Sequence, residues 1–233
     1  MTIVDNKRIA KNTIALYIRT FVSMVVSLYT SRKVLEALGV EDFGIFNVVG
    51  VIIKLMSFIN GSMSVATQRY LTYELGKGTE GQFNKVFNIA IRIHALIAVI
   101  VLIAAETIGV WFVNTNLNIP ATRIGAANWV FQATILTTVL GILQTPYNAA
   151  IISHEHMHIY AYVGLGETFA KLFIVLGLLH YPYDRLAIWG FAVFAIQLCS
   201  SLFYRIYCTK KFGNCALKRH IMDIPTAKSM LGF

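Results

Sequence analysis

Apolar residues fall in six long runs, separated by short connections rich in glycine, proline and charge. The runs cover Thr13–Ser31, Phe43–Met63, Val86–Glu106, Ile124–Leu143, Tyr160–His180 and Leu186–Tyr207. Each holds about 20 residues, the length a helix needs to cross a hydrocarbon core about 30 Å thick. Helix is the expected state throughout, because a single strand in lipid would leave its backbone polar groups unpaired. The punctuation agrees. Gly39 and Glu41-Asp42 precede the second run, Gly76-Lys77-Gly78 precedes the third, and Pro120, Pro146 and Pro182 mark the next three connections. Trp111, Trp129, Trp189, Tyr181 and Tyr183 sit near run ends, where interfacial aromatics belong. The pattern predicts an all-α integral membrane fold: six transmembrane helices within residues 1–209, then a basic linker over 210–233.

The runs are not uniformly greasy. On a helical wheel Arg19, Thr20, Ser23, Ser27 and Thr30 share an arc of about 100°. Asn47, Gly50, Lys54, Ser57 and Gly61 share about 80° on the second run. The third places Asn88, Arg92 and Glu106 on one side, the fifth Tyr160, Gly164, Glu167 and Lys171, the sixth Gln197, Ser201 and Tyr204. Small and hydroxyl residues of this kind also serve as helix–helix glue. Charges are a different matter. Each costs about 2.5–3.5 kcal/mol at membrane depth on insertion scales, so those retained there usually face a wet cavity and mark the path of something polar.

Glu167 and Lys171 stand at i,i+4 in the favourable order and are expected to pair. Lys54 has no acid at i±3 or i±4. The cations Arg19, Lys54, Arg92 and Lys171 outnumber Glu106 and Glu167, so an inward-facing cavity would be positive and favour an anion. Guanidinium groups suit phosphate oxygens especially well. Arg19, Lys54, Arg92 and Lys171 are the candidate substrate-binding residues for a phosphate or pyrophosphate group. Glu106 and Glu167 are candidates for ion coupling or charge pairing.

Composition sharpens this. Of 233 residues, 57% are hydrophobic and 13% charged, about half the charge of a soluble domain. Mean hydropathy is +0.64. Such a chain cannot cover its surface with polar groups. The net charge of +9 does not imply nucleic acid, because most cations flank apolar runs as the positive-inside rule describes. With the N-terminus in the cytoplasm, Lys7, Arg8, Lys11, Arg69, Lys77, Lys85, Arg205, Lys210, Lys211, Lys218, Arg219 and Lys228 fall inside. Only Arg32, Lys33, Arg123 and Arg185 fall outside. The first run is too long for a signal-peptide core and lacks an A-x-A site. Cys199, Cys208 and Cys215 show no CxxC spacing and are expected as reduced thiols.

One motif points elsewhere. His154-Glu155-His156-Met157-His158 satisfies H-E-x-x-H, in which two histidines on one helical face bind zinc and the glutamate acts as base. Here it lies in a short connection after Pro146 with no clear third ligand. A membrane metalloprotease using His154, Glu155 and His158 is therefore the alternative class. No Walker A, G-x-G-x-x-G or G-x-S-x-G occurs, and no cofactor is implied.

The stretch "NKRIAKNTIALYIRTFVSMVVSLYTSRKVLEALGVEDFGIFNVVG" (Asn6 to Gly50) resembles lipopolysaccharide and O-antigen flippases of the polysaccharide-transporter family. So do "NGSMSVATQRYLTYELGKG", "AETIGVWFVNTNLNIP" and "TPYNAAIISHEHM". The resemblance implies the multidrug/oligosaccharidyl-lipid/polysaccharide exporter fold, two six-helix lobes around a cavity that opens alternately to each side. It implies a bacterial inner-membrane location and an undecaprenyl-pyrophosphate-linked oligosaccharide as cargo. It also implies that cavity cations hold the pyrophosphate, a role that falls to Arg19, Lys54 and Arg92. Family members are about twice as long, so the chain is expected to be the N-terminal lobe, with "KSMLGF" approaching a seventh helix. A multidrug–cation antiporter is the nearer rival, but would favour buried acids over buried cations.

Overall fold

The computed structural model describes residues 3–78, 81–182, 184–217 and 230. Of the expected basic linker over 210–233, residues 218–229 and 231–233 lie outside these. Regular structure among the described residues is helical: α1 (Ile3–Met56), α2 (Phe58–Gly76), α3 (Phe83–Ala104), α4 (Val110–Thr115), α5 (Ile124–Ser153), α6 (Met157–Leu178) and α7 (Arg185–Lys211). A π-turn, Ala105–Gly109, joins α3 to α4, and a short 3₁₀ turn, Gly213–Cys215, follows α7.

Four stretches are long and apolar enough to cross a membrane: Phe83–Thr115 (33 residues), Ile124–Ser153 (30), Met157–Leu178 (22) and Arg185–Lys211 (27). Leu16–Leu55 and Asn60–Gly76, bent by 52° to each other, make a fifth if taken as one broken span. The expected six thus become four or five by length and composition. The first two runs fall within the continuous α1 and the start of α2, so they count together as at most one broken span. Pro146, expected in a connection, lies inside α5. Proline removes an N–H there, and membrane helices tolerate this where side chains and neighbouring helices re-satisfy the backbone. Thr145, beside it, donates to the Gly141 carbonyl (3.1 Å) and meets Asn60 of α2.

Gly39 interrupts α1 with φ 79°, ψ 170°, a region open essentially to glycine alone. On one side of it Val34 and Ala37 pack with Val175 and Leu178 of α6. On the other, Ile45, Val49 and Ile53 pack with Val130, Phe131 and Ile135 of α5. Gly39→Ala should therefore destabilise the protein by about 1–3 kcal/mol, read by unfolding in detergent. Gly44→Ala, at a helical site with open space around it, should be neutral or mildly stabilising.

α5 is the hub, packing on α7, α3, α2 and α1. A large apolar cluster joins α2, α3, α5 and α7 through Leu71, Phe87, Ile142 and Tyr204. Trp111 and Trp129 are exposed as interfacial residues should be, but Trp189 is not: it is 4% exposed, packed edge-on against Phe46.

The two ends of the bundle are fastened differently. At the Gly39 end, the Arg123 Nε donates to Asp42 Oδ1 (2.8 Å) and its Nη2 to the second oxygen of that carboxylate. Nη1 reaches Asp184 Oδ2 at 3.0 Å. Asp184 also caps α7, accepting from the Leu186 amide at 3.1 Å. Arg185 adds bonds to the carbonyls of Ala37 (3.0 Å) and Leu179 (3.2 Å). Three chain segments are tied there by charge. At the opposite end rings do the fastening. His154 stacks on Phe212 with centroids 4.0 Å apart, and the Tyr207 hydroxyl meets His156 Nδ1 at 3.1 Å.

Candidate functional site

The polar faces of α1 and α6 meet along a groove. Beside the first two turns of α6 the Arg19 guanidinium lies over the Tyr160 ring, 4.4 Å from the centroid, and against Gly164. A methyl group at Gly164 would stand 2.6 Å from Arg19 Nε. The glycine is what makes room for the cation. Further along, Ser27, Thr30, Ser31, Asn47, Thr168 and Lys171 line a cleft of about 230 Å³ closed by Phe43, Phe46 and Trp189. Gly164 and Lys171 are two helical turns apart, about 10 Å along α6.

Arg19 Nε, Ser23 Oγ and Trp189 Nε1 are buried without a hydrogen-bond partner. Buried polar groups are almost always paired, so the neighbouring Arg19 and Ser23 atoms, and Trp189 at the far end of the cleft, need an explanation. Glu167 does not supply one. Its carboxylate accepts from Ser200 Oγ on α7, rather than pairing with Lys171 one turn away as the sequence led us to expect. The choice is geometric, because Ser200 is buried across the helix interface and the ammonium of Lys171 lies in the cleft.

The other expected site residues scatter. Lys54 lies two turns from Asn47 on the same face of α1 and is exposed. Arg92 is half-buried on α3, which packs on α2 and α5, so it does not join the Arg19 groove. Glu106 sits in the π-turn, exposed, and accepts from Gln132 Nε2 at 3.0 Å. Asn88 binds the Asn84 and Ala216 carbonyls (2.8 and 3.2 Å). Gln197 and Ser201 both donate to Gln144 Oε1, at 2.8 and 2.7 Å. These last three are helix glue, the second use foreseen for such residues.

The H-E-x-x-H stretch is not a helix. Ser153 ends α5, Met157 begins α6, and Glu155 between them has φ 60°. His154 Nδ1 lies 2.8 Å from the Ala150 carbonyl, while His158 turns towards Tyr162. Among the described residues no three His, Cys, Asp or Glu side chains are grouped to hold a metal. Burial, with the charges of His158 and Lys211, pushes the His156 imidazole below its ordinary range.

No family model, curated protein or solved structure matches the chain. The function must therefore be argued from the groove itself. Sequence reasoning missed Trp189 and Ser200, which carry no charge to draw attention, and His94. His94 is buried in α3 with Nδ1 2.9 Å from the Ala90 carbonyl. Only the neighbours across a helix interface reveal such residues.

Proposed function

We propose that this chain is a six-helix lobe of an alternating-access flippase that moves a pyrophosphate-linked polyprenyl oligosaccharide across a bacterial plasma membrane. The observation that carries the proposal is the α1–α6 groove. A guanidinium, an ammonium, a hydroxyl and an indole N–H border it, while the neighbouring carboxylate is turned away to Ser200. Spare donors around fixed positive charge suit an oxyanion with several acceptor oxygens, and a pyrophosphate has them. In this reading Arg19 and Lys171 hold the headgroup and exposed Lys54 lies on its path, with Arg92 outside the groove. Six passes are supported by the way α1 runs beside α6 before Gly39 and beside α5 after it. The pyrophosphate and the second lobe follow from the resemblance set out above.

A multidrug–cation pump fits the groove poorly, since cations repel cations. A zinc protease fits the broken helix at Glu155 poorly. The experiment is a leaflet assay. Cells deleted for the gene are expected to accumulate lipid-linked oligosaccharide on the cytoplasmic leaflet and to lose surface glycan, with both restored by the intact gene. Unchanged surface glycan in the deletion strain would overturn the proposal.

A further inference from the structure

A second groove lies away from Arg19, between α5 and α7, with Ile91 of α3 and Leu217 at its edges and a volume of about 240 Å³. Its walls are two matched helical faces. Leu140, Leu143 and Tyr147 on α5 stand at i, i+3 and i+7, and Leu198, Leu202 and Arg205 on α7 stand at i, i+4 and i+7. Seven residues of helix give a length of about 10 Å, roughly two thirds of the ~15 Å depth of one leaflet. Two polar groups on the floor are paired with each other, because Ser201 donates to Gln144 Oε1 at 2.7 Å. An apolar chain can lie over that pair without breaking it. Leu198 and Leu202 are 37% and 48% exposed, so the groove opens sideways to lipid.

The charge is at one end only. Arg205 closes the groove on the side of the His156 end, is exposed, and forms no ion pair among the described residues. Lys210 and Lys211 follow within two turns along α7, and both are exposed. An apolar slot about two thirds of a leaflet deep with a guanidinium at its mouth is complementary to one molecule class.

We infer that this groove binds a phospholipid with a net-negative headgroup, its acyl chain between α5 and α7 and its phosphate on Arg205. The site is independent of the flippase reading, since it shares no residue with the Arg19 groove. Its occupant comes from the leaflet at the His156 end. Basic residues near a membrane surface are each worth about fivefold in affinity for anionic lipid.

The test is native mass spectrometry of the purified chain in detergent, titrated separately with phosphatidylglycerol and phosphatidylcholine. Phosphatidylglycerol should bind in preference, and Arg205→Gln should lower its occupancy about fivefold while lowering that of zwitterionic phosphatidylcholine by less. Leu202→Trp, at a half-exposed site that tolerates bulk, should fill the slot and reduce binding of both lipids. Arg19→Gln should change neither, which separates this site from the transport groove. Equal binding of the two lipids, or an Arg205→Gln variant that keeps its preference, overturns the inference. So does displacement of phosphatidylglycerol by equimolar polyprenyl pyrophosphate, which would assign the groove to the cargo instead.

Discussion

Gly164→Val is expected to abolish transport while Gly166→Val, two residues along the same helix, leaves it intact. The difference is space. A Cβ at Gly166 meets nothing within 4 Å, whereas one at Gly164 collides with the Arg19 guanidinium, 2.8 Å from its Cζ. The cation must then leave Tyr160 and its place in the groove. Hydrogen bonds to charged groups contribute about 1.5–3 kcal/mol, so cargo affinity should fall by about ten- to a hundredfold. Surface glycan in complemented cells, normalised to protein in the membrane, gives the readout. Overpacking also costs about 1–3 kcal/mol of stability. The double variant Arg19→Ala/Gly164→Val should regain that stability by emptying the space, yet remain inactive. Regained transport in the double variant would show that Arg19 is a packing residue and not a ligand for the headgroup.

The second large effect concerns the Gly39 end. Arg123→Ala removes a two-pronged bond to Asp42 and a further bond to Asp184, and leaves two carboxylates without their shared cation. Arg123 and Asp42 are largely shielded while Asp184 is 40% exposed, so the Asp42 bond dominates and the Asp184 bond is discounted for screening. A loss of about 2 kcal/mol follows, measured by denaturant unfolding in detergent. Arg123→Lys should recover less than half of it, since an ammonium cannot make the planar fork. The hydrogen bond to Asp42 holds the Arg123 guanidinium protonated beyond its ordinary range, with burial opposing and Asp184 assisting. A group raised in the folded state stabilises fully below its unfolded value and fades only as pH climbs through the folded one. The cost of Arg123→Ala should therefore be the same at about pH 6 and pH 9.

How much of this was legible in the chain follows from what periodicity encodes. A 3.6-residue repeat tells which side of a helix is polar, and on those sides Arg19 of α1 meets Gly164 of α6 while Lys171 lines the cleft with Ser27 and Thr30. It does not tell which helices are neighbours. The expected common pocket for Arg19, Lys54, Arg92 and Lys171 therefore dispersed once α3 packed on α2 and α5. The Glu167–Lys171 pair failed for the same reason. An intrahelical i,i+4 contact is worth a few tenths of a kcal/mol, and a buried hydroxyl on the next helix outbids it. Windows of apolar residues also ended span four at Leu143, whereas α5 runs through Pro146 to Ser153. The proline leaves only the Ile142 carbonyl without its helical donor, too little to end the helix where α2, α3 and α7 pack around it.

The unlike fastenings of the two ends have a consequence for the medium around the protein. Ion pairs near water weaken as electrolyte shortens the reach of charge, to about 10 Å at 0.1 M and 3 Å at 1 M. Stacked rings such as His154 on Phe212 feel no such weakening. Concentrated salt should thus let the Arg123 corner breathe while the histidine corner stays shut, so that ionic strength alone selects which mouth of the bundle loosens first.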